Sequence, residues 1–159
     1  MSRAFVREDS DAPPAPPLER AVSSAPNRVT PRGARLIDEA IAALEAQLGA
    51  DPGDEAAASI RRDLRYWSAR RATAQLVQPD RAAAAAGFGV RVLFRRAGRR
   101  SAVNIVGEDE ADPAEGRIAW TSPLARALDG AGAGETVELV AGGRAEPVEI
   151  LAVEPIGGD

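Results

Sequence analysis

The sequence predicts an α+β chain in which an antiparallel two-helix coiled-coil hairpin precedes a small antiparallel β-sheet unit carrying one short helix. Three observations predict it. Apolar residues recur at helical spacing between residues 31 and 76, a DPGDE turn interrupts them at residues 51–55, and from Val90 onward the apolar period becomes two. A chain of 159 residues has room for two small units, and with 45% hydrophobic but only 4% aromatic residues both depend on aliphatic packing in thin cores.

The first segment, residues 1–28, carries Pro13, Pro14, Pro16, Pro17 and Pro26 among mixed charges, so it is read as a disordered arm. The hairpin is assigned to residues 29–79. Thr30 is the expected N-cap of its first helix, with Pro31 at the first helical position where a missing N–H is harmless. Ile37, Ile41, Leu44 and Leu48 form one stripe, and Gly49 is the expected C-cap. The second helix is expected from Asp54 to Leu76, with Ile60, Leu64 and Trp67 on one face and Gln78-Pro79 ending it.

Residues 80–87 read as a linker, because the alanine run within them follows Pro79-Asp80 and precedes Gly87. The sheet unit is assigned to residues 88–155. Val90, Val92 and Phe94 alternate before a turn at Gly98, and further strands are expected at 102–106, 118–120, 136–140 and 148–153. A short helix at 123–128 starts from Ser122 as its N-cap.

With no cysteine and no histidine, the chain lacks disulfides, zinc sites built on sulfur or imidazole, and every nucleophile–histidine arrangement. Carboxylates and arginines remain. The net charge of −4 disfavours direct, sequence-independent nucleic acid binding. Residues 1–11 are charged without an apolar stretch, so no signal peptide is expected, nor any membrane span.

The turn at residues 51–55 gathers Asp51, Asp54 and Glu55, which could supply part of a Mg²⁺ shell or serve as ordinary turn formers beside a helix N-terminus. Arg61, Arg62, Arg65, Arg70 and Arg71 read as a solvated basic face paired at helical spacing with acids such as Asp63. Tyr66 and Trp67 read as packing residues. The acidic run Glu108, Asp109, Glu110 and Asp112 lies on a loop, and no second motif completes a catalytic site around it. Gly87-x-Gly89 lacks the third glycine of a phosphate-binding loop.

Residues 105–113 (IVGEDEADP), 122–128 (SPLARAL), 134–137 (GETV) and 148–153 closely resemble the C-terminal domain of the bacterial transcript-cleavage factors GreA and GreB. Val29-Thr30-Pro31 is similar to the start of that family's coiled coil. The resemblance implies an FKBP-like sheet domain that docks on core RNA polymerase at the mouth of the secondary channel, with the hairpin directed at the catalytic centre. It carries polymerase docking to Asp109, Glu110, Ser122, Pro123 and Arg126. It further implies that Asp51 and Asp54, with Glu55 adjacent, help hold a Mg²⁺ shared with the polymerase, which cuts its own backtracked RNA.

Two departures stand out. The tip reads DPGDE where the family has an aspartate, two residues, glutamate and asparagine, and helices of about twenty residues reach only about 30 Å. A shorter reach also resembles the nucleoside diphosphate kinase regulators, which would occupy the channel without touching its centre. The expected protein is therefore a cytoplasmic, monomeric elongation factor, not itself an enzyme, with no cofactor of its own and only indirect contact with nucleic acid. Two rivals are a peptidyl-prolyl isomerase, for which the sheet unit offers only Phe88, Phe94 and Trp120 as aromatics, and an interaction module whose coil pairs with another coil.

Overall fold

Thr30 turns the chain into its first helix: its hydroxyl accepts the Gly33 N–H at 2.9 Å while Pro31 opens the helix. A computed structural model describes residues 18–157, so the arm expected over residues 1–28 lies outside the described residues as far as residue 17. In chain order the elements are β1 (Arg28–Val29), α1 (Pro31–Gly49), α2 (Asp54–Thr73), β2 (Gln75–Leu76), β3 (Val90–Arg96), β4 (Arg99–Val106), β5 (Arg117–Ala119), α3 (Pro123–Leu128), β6 (Thr136–Ala141) and β7 (Arg144–Pro155).

The hairpin forms as the stripe predicts. Ile37 and Ile41 are buried with Val29, and Ala34, Leu64 and Trp67 close over them. Leu44 and Leu48 are only half-buried, so packing thins toward the tip. Gly49 ends α1 as its last residue rather than capping it, and left-handed backbone falls instead on Asp51 (φ 54°) and Gly53 (φ 81°).

The second helix stops at Thr73, three residues short of the expected end. Ala74 is extended, and Gln75–Leu76 pairs in parallel with Arg28–Val29. Long-range pairing overrides local helical preference here, since the Asn27 side-chain amide donates to the Arg70 carbonyl at 2.7 Å and to Thr73 Oγ1 at 3.2 Å, holding the helix end.

The sheet runs β5-β4-β3-β7-β6. It is mixed rather than wholly antiparallel, because β4 and β5 pair in parallel. The chain between them makes two 3-10 turns, Glu108–Glu110 and Pro113–Glu115, and this excursion returns β5 in the direction of β4, where a tight hairpin would have reversed it. An irregularity opposite Leu93 and Phe94 breaks the β3–β7 ladder.

One face of the sheet carries the core, with Val90, Val92, Phe94, Ile105, Leu139, Val148 and Ile150 packed against Leu128 and Ala125 of α3. Within residues 80–87, Ala86 belongs to this core. Its N–H donates to the Ala131 carbonyl and its own carbonyl accepts from Gly130, both at 2.8 Å, so the expected linker is stitched into the sheet unit. Among the described residues no helix is long and apolar enough to cross a membrane.

Candidate functional site

The hairpin tip presents Asp51, Asp54 and Glu55, all exposed. Asp51 takes a left-handed conformation that aspartate tolerates better than most residues. Asp54 and Glu55 occupy the first turn of α2, where the peptide dipoles favour negative charge, and Gly53 leaves that end without a side-chain cap. Among the described residues no group of three or more carboxylates is close enough to hold a metal ion alone. Mg²⁺ asks for six oxygens in near-octahedral array, so carboxylates at this tip could supply at most part of such a shell.

The acidic turn Glu108–Glu110 occupies a different environment, where its carboxylates together tie residues 18–27, α1 and α2 to the sheet. Asp109, 5% exposed, accepts from the Arg70 guanidinium, itself 2% exposed, and from the Tyr66 hydroxyl at 2.5 Å. Glu110, 4% exposed, accepts from the Thr30 hydroxyl and from Arg32 at 3.2 Å. Glu108 accepts from Ser23 at 3.0 Å, Thr121 at 3.2 Å and Arg70 at 3.5 Å. Burial pushes the Tyr66 phenol up to about 12, and its bond to the Asp109 carboxylate adds to the shift.

Two glycines permit this closeness. A Cβ on Gly107 would lie 2.6 Å from the Arg28 carbonyl oxygen, and one on Gly33 would lie 2.9 Å from Glu110 Oε2. Outside the junction, residues 18–27 lie along α2, with the Arg20 guanidinium 3.6 Å from the Tyr66 ring centre and Glu19 paired with Arg65.

The predicted docking residues therefore divide. Ser122, Pro123 and Arg126 stand together on α3, where Ser122 caps the helix by accepting the Ala125 N–H at 3.3 Å and Pro123 and Arg126 are exposed. Asp109 and Glu110 are instead engaged within the molecule. Sequence reasoning placed Arg70 on a solvated face, yet it is the most buried charged residue of the chain's described part. Nothing in helical spacing marks it, because its partners lie thirty-nine and thirty-eight residues away along the chain.

Residues 78–155 match the family model described as "Transcription elongation factor, GreA/GreB, C-term". Residues 78–155 form a GreA/GreB C-terminal domain. It is 42% identical over 100 residues to the transcription elongation factor GreB of Neisseria meningitidis, an alignment covering 61% of each protein. It is 47% identical over 68 residues to the GreA of Rhodopseudomonas palustris, covering 43% of each. The match thus spans about 61% of the GreB relative's length and less of the GreA relative's. Among solved structures, the Gfh1 protein of Thermus aquaticus aligns at 17% identity over 82% of this chain and 99% of its own, with a TM-score of 0.41. A GreA/GreB factor from Nitrosomonas europaea aligns at 22% identity over 80% of this chain and 98% of its own, with a TM-score of 0.39.

Proposed function

We propose that this chain is a cytoplasmic, monomeric elongation factor that binds RNA polymerase core through its sheet unit, at the secondary channel, and modulates elongation with its hairpin. It has no catalytic activity of its own in this reading. The family match over the sheet unit supports the partner. The observation that carries the mechanism is the buried junction of Arg70, Tyr66, Asp109, Thr30 and Glu110, which couples hairpin and sheet into one lever. A docked sheet would then determine where the tip points.

Pro123 and Arg126 are the exposed docking contacts of α3, and Ser122 positions them by capping that helix. Asp109 and Glu110 serve docking indirectly, by orienting the hairpin. At the tip, Asp51 and Asp54 would share a Mg²⁺ with the polymerase, and Glu55 would add negative charge beside it. A metal held there would polarise a phosphoryl oxygen and a water for RNA cleavage. The residues of this chain supply only ligand oxygens and their placement.

The lengths of α1 and α2, 19 and 20 residues, favour a second reading in which the tip occupies the channel without reaching its centre. Their span is about 30 Å, and a carboxylate must come within about 2.1 Å of Mg²⁺ to ligate it. Sedimentation with purified core RNA polymerase, followed by a cleavage assay on a backtracked complex, separates the readings. Co-sedimentation with cleavage supports the first and co-sedimentation without cleavage the second, while no association at micromolar concentration overturns both.

A further inference from the structure

A row of polar side chains crosses the outer face of the sheet, opposite the core. Strand register places Arg91 of β3 beside Asn104 of β4, and Asn104 beside Arg117 of β5. Neighbouring strands lie about 4.8 Å apart, so the two arginines flank the amide at about 10 Å from each other and can converge over it. The base of the hairpin borders this row: Arg32 of α1 and Glu110 of the acidic turn line the same cleft of about 220 Å³, together with Ile156 and Gly157.

The guanidiniums of Arg91 and Arg117 are incompletely used. Arg117 meets Asp112 at 3.4 Å through one terminal nitrogen, and Arg91 meets Glu154 only at 3.9 Å. Both carboxylates are about half exposed, 46% and 50%, so water screens these pairs. Arg117 Nε is buried and has no hydrogen-bond partner. A guanidinium offers five donors in a rigid fork, and a buried charged donor left unsatisfied is unfavourable.

We propose that this cleft is a binding site for a small phosphoryl anion, with Arg91 and Arg117 gripping its oxygens from either side and Asn104 donating between them. A tetrahedral anion with several acceptor oxygens and more than one negative charge matches two forks and an amide better than a single planar carboxylate does. The partly closed shape favours a small free phosphate, pyrophosphate or nucleotide over a polynucleotide backbone, which the net charge of −4 also repels. Glu110, held by Arg32 and Thr30, is the one group among the described lining residues that opposes an anion. Because the cleft lies between α1 and the sheet, an occupant would brace the same junction that Glu110 and Thr30 hold.

The test uses the full chain alone, labelled with nitrogen-15, and needs no polymerase. Inorganic phosphate, pyrophosphate, adenosine monophosphate and a short single-stranded oligonucleotide are each titrated at ionic strength held constant with chloride. The expected result is a saturable shift of the Arg117 Nε–H and Asn104 amide resonances with a small anion. The Arg91→Gln/Arg117→Gln double variant should bind at least about tenfold more weakly. Arg99→Gln/Arg100→Gln removes the same charge from the exposed β3–β4 turn and should bind as the wild type does. No saturable shift in the wild type, equal weakening in both double variants, or a response to the oligonucleotide alone overturns the proposal. Should the Arg91/Arg117 variant not fold, the wild-type resonance map and Asn104→Ala decide the same question.

Discussion

Asp109 and Glu110 at the junction are nearly sealed from solvent and bonded to Arg70, Tyr66, Thr30 and Arg32, whereas Asp51, Asp54 and Glu55 at the hairpin tip are exposed. The residue types are the same. At the junction, burial makes each carboxylate depend on its partner, because an unpaired charge there loses hydration without compensation. At the tip, water solvates the charges and the fold has little stake in them. Stability is therefore expected to reside in the first group and availability to a partner in the second.

Removing Arg70 should widen this contrast most. Arg70→Ala leaves Asp109 buried without its cation and is expected to destabilise the chain by about 3–5 kcal/mol, measured by urea unfolding. A loss below about 1 kcal/mol would mean that water reaches Asp109, and the contrast would fail.

Next in size is Gly107→Ala. Its added Cβ would meet backbone, the Arg28 carbonyl oxygen at 2.6 Å, so β1 or the acidic turn must shift at a cost of about 1–3 kcal/mol. Unfolding at wild-type denaturant concentration would show that the two segments part freely. Thr30→Ala removes both the cap of α1 and a bond to Glu110, with an expected loss of about 1–2 kcal/mol by the same measurement.

Tyr66 is the chain's one tyrosine, so its ultraviolet absorbance reports the junction directly. Its phenol titrates near 12 when folded and near 10 when unfolded. Above pH 10 the unfolded chain holds fewer protons than the folded one, so the stabilising contribution present below pH 10 is lost as pH rises toward 12. Asp109→Asn should lower the folded midpoint by removing the carboxylate that accepts the phenol hydrogen bond. An unchanged midpoint would show that the Asp109 carboxylate does not contribute to it.

The smallest effect on stability belongs to the tip. Asp51→Ala/Asp54→Ala should cost no more than about 1 kcal/mol per site, at Asp51 through its left-handed backbone and at Asp54 through the lost charge at the start of α2. In the proposed function the same variant abolishes cleavage in a backtracked complex while polymerase affinity stays near wild type. Equal cleavage by variant and wild type would remove the tip from the chemistry.

Much of this architecture was legible in local sequence. Thr30-Pro31 announces α1, Ser122-Pro123 announces α3, the DPGDE turn sits between two amphipathic stripes, and the period-two alternation around Val92 marks a half-buried strand. These signals are legible because capping and periodicity act between residues only a few positions apart. The motif at residues 105–113 likewise pointed to the family of the sheet unit, although not to what its acids do.

Only the tertiary structure decided that α2 yields its last turn to a parallel pair with β1, that β5 runs parallel to β4, and that Ala86 joins the core. It also decided which carboxylates are sealed and which are offered. Solvent exposure and ion pairing depend on segments that meet across tens of residues, as Arg70 meets Asp109, and no local spacing encodes that meeting.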